Sequence, residues 1–260
     1  MITSASNDKI KEIKKLMKSA SKRREMGVYI VEGIRMVREI PKDALQAVYV
    51  AESMEESFRP VTENFHVPVE LVRDSVFQSM SDTNTPQGIL ALVRIPQMVE
   101  ASLYTEGTVP FVLIVERLQD PGNLGTIIRT AEGAGVTGII LSADSVDLYN
   151  PKVVRSTMGS IFRVPVYVTQ DLTRTIADAK AHGIRIYGAH LSGTDFYEED
   201  FTGGCAFLIG NEGNGLTEQV SASADALIRI PMQGQVESLN AAISTAVISY
   251  EVLRQRLAKK

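Results

Sequence analysis

Two short apolar runs near the carboxyl end each stop at a loop that cannot continue a strand, and this pair constrains the fold more than any other feature. The first, Ala206 to Ile209 after Cys205, runs directly into Gly210-Asn211-Glu212-Gly213-Asn214-Gly215. An apolar run bounded by glycines predicts a buried strand entering a tight loop. Glycines there permit positive φ and let backbone N–H groups come close to a ligand. Leu216 to Val220 then reads as a helix start. The second run, Leu227 to Ile230, stops at Pro231 and passes through the loop Met232 to Glu237, which holds Gly234. Ser238 is the expected N-cap of a long helix reaching about Leu257. That helix carries Ala241, Ala242, Ser244, Thr245, Ala246 and Ser249, small enough to admit another backbone. Strand, glycine loop and helix follow in the order by which open α/β sheets place ligands at the carboxyl ends of strands.

Upstream, the same alternation extends. Phe111 to Val115 predicts a strand, Glu116 to Gly122 a loop, and Asn123 to Glu132 a helix bearing Arg129. Asn123 and Arg129, nearly two turns apart, share roughly one side of it. Gly133-Ala134-Gly135-Val136-Thr137-Gly138 matches G-x-G-x-x-G formally. A dinucleotide site needs a strand before it and a helix after it. Here a helix precedes and the strand Gly138 to Leu141 follows, so helix termination is expected. A helix from Asn150 to Met158, a strand from Val164 to Val168, a helix capped by Asp171 and a strand from Ile184 to Ala189 with the exit loop His190 to Thr194 complete the series. Strands alternating with helices predict a mostly parallel sheet.

The amino-terminal third alternates on a smaller scale. Asn7 is the expected cap of a lysine-rich helix from Asp8 to about Ala20. Strands are expected at Val28–Val31, Gln46–Val50, Val69–Val72 and Gly88–Arg94, with helices at Gly33–Ile40, Ser53–Asn64 and Val76–Met80. Between Pro96 and Pro110 the pattern dissolves, so a boundary is expected there. It gives domains 1–100 and 107–260.

Composition narrows the function classes. The hydrophobic fraction of 44% allows a full core, and no apolar run approaches the roughly 20 residues of a membrane helix. The polar amino terminus lacks a signal-peptide core. One cysteine, Cys205, permits no intrachain disulfide and fits a reducing, cytoplasmic setting. His66, His182 and His190 are scattered and give no metal spacing. The net charge of −4 conceals a basic arm: residues 1–24 hold eight lysines and arginines against two acids, enough to meet phosphates.

Gly210-Asn211-Glu212-Gly213-Asn214-Gly215-Leu216 and Ile230-Pro231-Met232-Gln233-Gly234-Gln235-Val236-Glu237-Ser238-Leu239-Asn240 resemble the second and third motifs of the SpoU/TrmH branch of the SPOUT RNA methyltransferases. Asn123-Leu124-Gly125-Thr126-Ile127-Ile128-Arg129 resembles the first. The resemblance covers most of Phe111 to Lys260, and the amino-terminal third more loosely. It implies an α/β chain: a ribosomal-protein-like α/β/α RNA-binding module followed by a SPOUT α/β domain with a mostly parallel sheet and a deep trefoil knot. Tyr29-Ile30-Val31-Glu32-Gly33 and Asn84-Thr85-Pro86-Gln87-Gly88 look like landmarks of the module.

The resemblance further implies ribose 2′-O-methylation with S-adenosylmethionine as cofactor. Gly210, Ile230 and Leu239 would surround its adenosine, with Leu191, Gly213 and Met232 beside them. Arg129, Asn123, Glu212, Ser238 and Asn240 would carry the chemistry, with Glu212 holding Arg129 or accepting the ribose proton. A guanidinium is a poor base, so Arg129 is expected to clamp a phosphate or orient the hydroxyl. Arg117, Lys152, Arg155 and Arg163 are candidate phosphate contacts. The family pairs as homodimers through the knotted domain, a partner often completing the site. The basic arm and the amino-terminal module favour 23S ribosomal RNA over transfer RNA. A non-catalytic RNA-binding protein of the same fold is the rival reading.

Overall fold

The computed structural model describes residues 1–104, 107–236 and 238–259. Glu237, the expected end of the loop before the last helix, and Lys260, the expected end of the second domain, lie outside the described residues, as do Thr105 and Glu106 in the expected boundary. Packing divides the chain into two units, Met1–Gln97 with Asp147–Phe162, and Met98–Val146 with Arg163–Lys260. No helix among the described residues is long and apolar enough to cross a membrane.

The first unit opens with α1 (Asp8–Lys18), α2 (Ala20–Met26), β1 (Val28–Glu32), α3 (Ile34–Arg38), β2 (Leu45–Ala51), α4 (Glu55–Thr62), β3 (Val69–Val72), α5 (Asp74–Met80) and β4 (Ile89–Arg94). The sheet order is β1-β4-β2-β3, with β2 and β3 parallel and the other pairs antiparallel. Side chains alternate between two cores, as a strand's period of two requires. Ile30, Tyr49, Leu90 and Leu92 meet Ile10, Ile13 and Leu16 of α1 and Phe77 and Met80 of α5. Tyr29, Val31, Val48, Val50, Ala91 and Val93 face Met36, Val37 and Phe58 on the opposite side. The result is an α/β/α sandwich.

Asn7 caps α1 as expected, its side chain accepting from the Lys9 N–H at 3.0 Å. The expected single helix instead breaks at Ser19, whose extended backbone ends α1 and whose hydroxyl accepts from the Lys22 N–H to begin α2.

The basic arm is less free than its composition suggests. Arg23 is 3% exposed, and its guanidinium donates to Asp147 at 2.6 and 2.9 Å and to the Leu16 and Met17 carbonyls. Lys9, Lys11 and Lys22 pair with Glu70, Asp8 and Glu25. Lys15, Lys18 and Arg24 stay exposed, with no ion pair among the described residues.

The second unit contains β5 (Phe111–Val115), α6 (Pro121–Ala134) and β6 (Gly138–Ser142). The chain then passes through α7 (Pro151–Ser156) to β7 (Val166–Thr169), α8 (Leu172–Ala181), β8 (Arg185–Asp195), β9 (Cys205–Ile209), α9 (Glu218–Ser221), β10 (Ala226–Arg229) and α10 (Ala241–Ala258). Its sheet order is β10-β8-β9-β5-β6-β7, parallel throughout. Every residue of β5, β6 and β9 is buried, as strands covered on both faces must be. α6 ends where expected, Gly135 taking the left-handed conformation at φ 74°.

Three further expectations need correction. The stretch 147–162, expected in the second domain, packs with the first unit: Tyr149, Val154, Ile161 and Phe162 join the core around Tyr29 and Val93, and Asp147 meets Arg23. The exit loop His190–Thr194 is held as part of β8. That strand pairs with β10 at Tyr187–Gly188, leaves the ladder, and pairs again at Thr194–Asp195. Ser238 is not the cap of α10. Asn240 is, its Oδ1 accepting from the Ala242 and Ile243 N–H groups at 2.9 and 3.3 Å.

Removing one partner of a buried ion pair leaves the other charge uncompensated. Arg23→Ala should therefore cost about 3 kcal/mol of stability, whereas Lys22→Ala, which breaks an exposed pair, should cost under about 1 kcal/mol. Urea denaturation of both variants measures the difference.

Candidate active site

The carboxyl ends of β8, β9 and β10 open on one cleft of about 410 Å³. Leu191, Gly210, Gly213, Ile230, Met232 and Leu239, the six residues expected around a cofactor, all line it, and Glu212 and Ser238 stand in its wall. The loop after β9 is folded back on itself. Asn211 and Gly215 exchange backbone hydrogen bonds, and the Asn211 side chain accepts from the Gly213 and Asn214 N–H groups. This turn requires Gly210, since a Cβ there would lie 2.3 Å from the Gly215 carbonyl carbon. Gly193, at the β8 excursion, is likewise pressed onto the backbone of Leu227 and Ile228, 2.5 Å from where its Cβ would sit.

Three distant segments meet beside the cleft. Asn123 Nδ2 donates to Glu212 Oε1 at 3.0 Å, and Asn240 Nδ2 donates to Asn123 Oδ1 at 2.9 Å. Glu212 also accepts from the Asp120 N–H at 2.9 Å and the Gln119 N–H at 3.1 Å. It therefore holds Asn123 and the loop before α6. It does not hold Arg129, which was one of the two roles expected of it. Arg129 lies exposed on α6 with no hydrogen bond or ion pair among the described residues.

Asp120 was not singled out from the sequence. It caps α6 by accepting from the Asn123 N–H at 2.8 Å, ahead of Pro121 at the first helical position. An acid followed by proline is a helix-start signature that could have revealed it. Of the candidate phosphate contacts, Arg117 pairs with Asp144, Arg155 with Asp82 and Arg163 with Glu132. Lys152 and Arg155 belong to the first unit. No group of three or more metal-binding side chains occurs among the described residues.

Residues 110–250 match the SpoU rRNA Methylase family, and residues 7–91 match the MRM3-like substrate binding domain. The chain belongs to the SpoU rRNA Methylase family. It is 32% identical over 255 residues to a Bacillus subtilis protein named 23S rRNA (guanosine(2553)-2'-O)-methyltransferase RlmP, covering 96% of this chain and 98% of that one. The SpoU methyltransferase AviRb from Streptomyces viridochromogenes, solved in complex with the cofactor AdoMet, superposes with a TM-score of 0.90. It has 26% identity and covers 97% of this chain and 99% of its own. A solved structure described as giving insights into the 2-OH methylation of C/U34 on tRNA covers only 58% of this chain and 99% of its own, at TM-score 0.53 and 29% identity.

Electrostatics of this SpoU site follow from its donors. Partial burial pushes the Glu212 carboxyl upward, but the Asp120 N–H, the Asn123 amide, its own backbone N–H and the Gln119 N–H outweigh it and hold the group below its ordinary value of 4.5. A depressed carboxylate contributes stability above its unfolded value and loses it as pH falls through the folded one. The stability gap between the native chain and Glu212→Gln should thus be constant above pH 5 and close below about 4.5, as thermal melts across pH would show. Gly210→Ala, with no room for its methyl, should lower the melting temperature by several degrees and abolish binding in the cleft, which calorimetry would read.

Proposed function

We infer that this SpoU-family chain is an S-adenosylmethionine-dependent RNA methyltransferase acting on a ribose 2′-hydroxyl of 23S ribosomal RNA. One observation carries the reading. The cleft at the carboxyl ends of three parallel strands shares Glu212 with a polar cluster drawn from three separate segments. A pocket for a small molecule thus adjoins a set of groups suited to hold a sugar. The ribosomal target is supported by the relative that matches along nearly the whole chain, and by the match of residues 7–91 to a substrate binding domain.

The cleft fits the cofactor. Its volume lies within the roughly 300–1,000 Å³ typical of small-molecule pockets. Leu191, Ile230, Met232 and Leu239 give it apolar walls, and the glycine loop offers backbone close at hand. S-adenosylmethionine, when bound, supplies an electrophilic methyl group on a sulfonium. The rest is positioning, the largest contribution this chain can make.

Asn123 and Asn240 each retain one amide N–H, which can hold ribose oxygens. Glu212 Oε2 accepts one of the hydrogen bonds above, so a lone pair remains to aim the target hydroxyl. Arg129, with donors and no acceptor, clamps an RNA phosphate or orients the hydroxyl. Ser238, freed from capping, faces the cleft as a further polar contact.

The chain acts as a homodimer in this reading. Ile243, Tyr250 and Leu257 form an apolar stripe along α10, each more than half exposed. A partner covering it would lie near the unpaired Arg129, because α10 packs against α6. The amino-terminal module grips the RNA, with Lys15, Lys18 and Arg24 among its exposed cations that make no ion pair among the described residues. A threaded, knotted carboxyl-terminal chain belongs to the same reading. A cytoplasmic location follows from the substrate.

Mapping ribose methylation in ribosomal RNA from a strain lacking the gene tests the function. One lost 2′-O-methyl group supports it, and an unchanged map refutes it. Arg129→Ala should cut methyl transfer about 100-fold or more while the calorimetric affinity for S-adenosylmethionine changes little. Near-normal turnover would remove the assignment. Light scattering at micromolar concentration should give twice the chain mass of 28.4 kDa.

A further inference from the structure

On the other side of the glycine loop lies a second cavity, of about 450 Å³, lined among others by Arg117, Gln119, Asp144, Asn211, Asn214 and Thr217. No step above uses it. Its most unusual feature is Arg117, whose backbone stands at φ 52°. Left-handed backbone disfavours an arginine and suits glycine or asparagine. The surroundings impose it. The Arg117 N–H donates to Ser142 Oγ at 2.8 Å, and its carbonyl accepts from Asn211 Nδ2 at 2.8 Å and Gln119 Nε2 at 2.9 Å. Gln119 Nε2 also donates to the Asp144 carbonyl at 3.0 Å. A strained residue so firmly held points to use. The Arg117 guanidinium stands 3.4 Å from the Asp144 carboxylate, with both side chains more than half exposed at the cavity. The Asn214 side-chain amide makes no hydrogen bond among the described residues.

We propose that this cavity receives the base of the nucleotide being methylated, and that Asp144 and Arg117 together select guanine. The proposal rests on the reading of the chain as an RNA methyltransferase. Glu212 Oε2, assigned to the ribose, accepts from the backbone of Gln119, and Gln119 lines the second cavity. A base is bonded to its ribose and must lie beside it. Asp144 argues against a phosphate here, since like charges repel. Splayed bases of RNA are read on their hydrogen-bonding edges.

Guanine alone of the four carries two adjacent donors, N1–H and the 2-amino group, which match the two oxygens of a carboxylate. Next to N1 it carries O6, an acceptor for the neighbouring guanidinium. Adenine and cytosine set one amino group beside an unprotonated ring nitrogen. Uracil sets one N–H between two carbonyls.

The test uses the full-length protein, S-adenosylmethionine and ribosomal RNA fragments spanning the mapped target, carrying guanosine, inosine, adenosine or uridine at the methylated position. Single-turnover rates at subsaturating enzyme give discrimination. Inosine lacks only the 2-amino group and should react about 10- to 100-fold more slowly than guanosine. Asp144→Asn should slow guanosine and make guanosine and inosine equal. Arg117→Asn, which relieves the backbone strain, should melt no lower than the native chain while losing preference for bases bearing O6. Equal rates for guanosine and inosine in the native enzyme, or discrimination intact in Asp144→Asn, overturn the subsite. If no fragment is methylated and calorimetry shows no S-adenosylmethionine binding, the functional reading itself fails, a result distinct from transfer without base preference.

Discussion

The direction of one hydrogen-bond chain governs the site. Glu212 is a carboxylate held ionised, so it can only accept. Asn123 must therefore turn its NH2 group toward Glu212, which leaves its carbonyl for Asn240. Asn240 must turn its own NH2 group to Asn123, which leaves its carbonyl for the first N–H groups of α10. A single charge thus sets the orientation of two amides and ties the start of the last helix to the start of α6. Segments 89 and 117 residues apart are joined this way. In contact with water each such bond contributes only about 0.5–1.5 kcal/mol, somewhat more where the carboxylate takes part. The chain's effect is to fix which atoms face a ligand more than to hold the fold together.

The fold is held by the two sheets, and they leave the site to loops. Strands buried on both faces have no polar residues to offer, so chemistry must stand at their carboxyl ends. There the backbone itself is the scarce resource. Gly210 admits the return of the chain at Gly215, and Asn211 pins that return to the Arg117 carbonyl on the neighbouring loop. One wall then separates two cavities, each bordered by a different loop of the same sheet.

Much of this was legible in the sequence because its signals are local. Short apolar runs bounded by turn residues place the strands, and Asn7, Asp171 and Gly135 mark helix ends that the structure confirms. What escaped depends on partners far along the chain. Ser238 and Asn240 are both good caps two residues apart, and α10 is apolar on too many sides for its pattern to choose between them. The choice falls to Asn123, 117 residues away. Arg23 sits among lysines in a run that reads as solvated, yet Asp147 lies 124 residues downstream and buries it. The helix expected at Asn150–Met158 carries no signal of its partner, because local pattern never says which core an element joins. The positive φ of Arg117 had no signal, because the residue type argues against it.

The charge arrangement also argues for positioning over acid–base work. An anion beside a sulfonium stabilises the bound reactant, and that stabilisation fades as the transferring group loses its charge, so an unscreened carboxylate would slow the step. Glu212 is not unscreened. Three N–H groups from Gln119, Asp120 and Asn123 share its charge. The same donors that depress its proton affinity make it a weak base and a firm anchor. A group built to pull a proton would be left with fewer donors and a higher affinity. The geometry instead favours a carboxylate that arranges its neighbours, in keeping with the positioning role proposed for it.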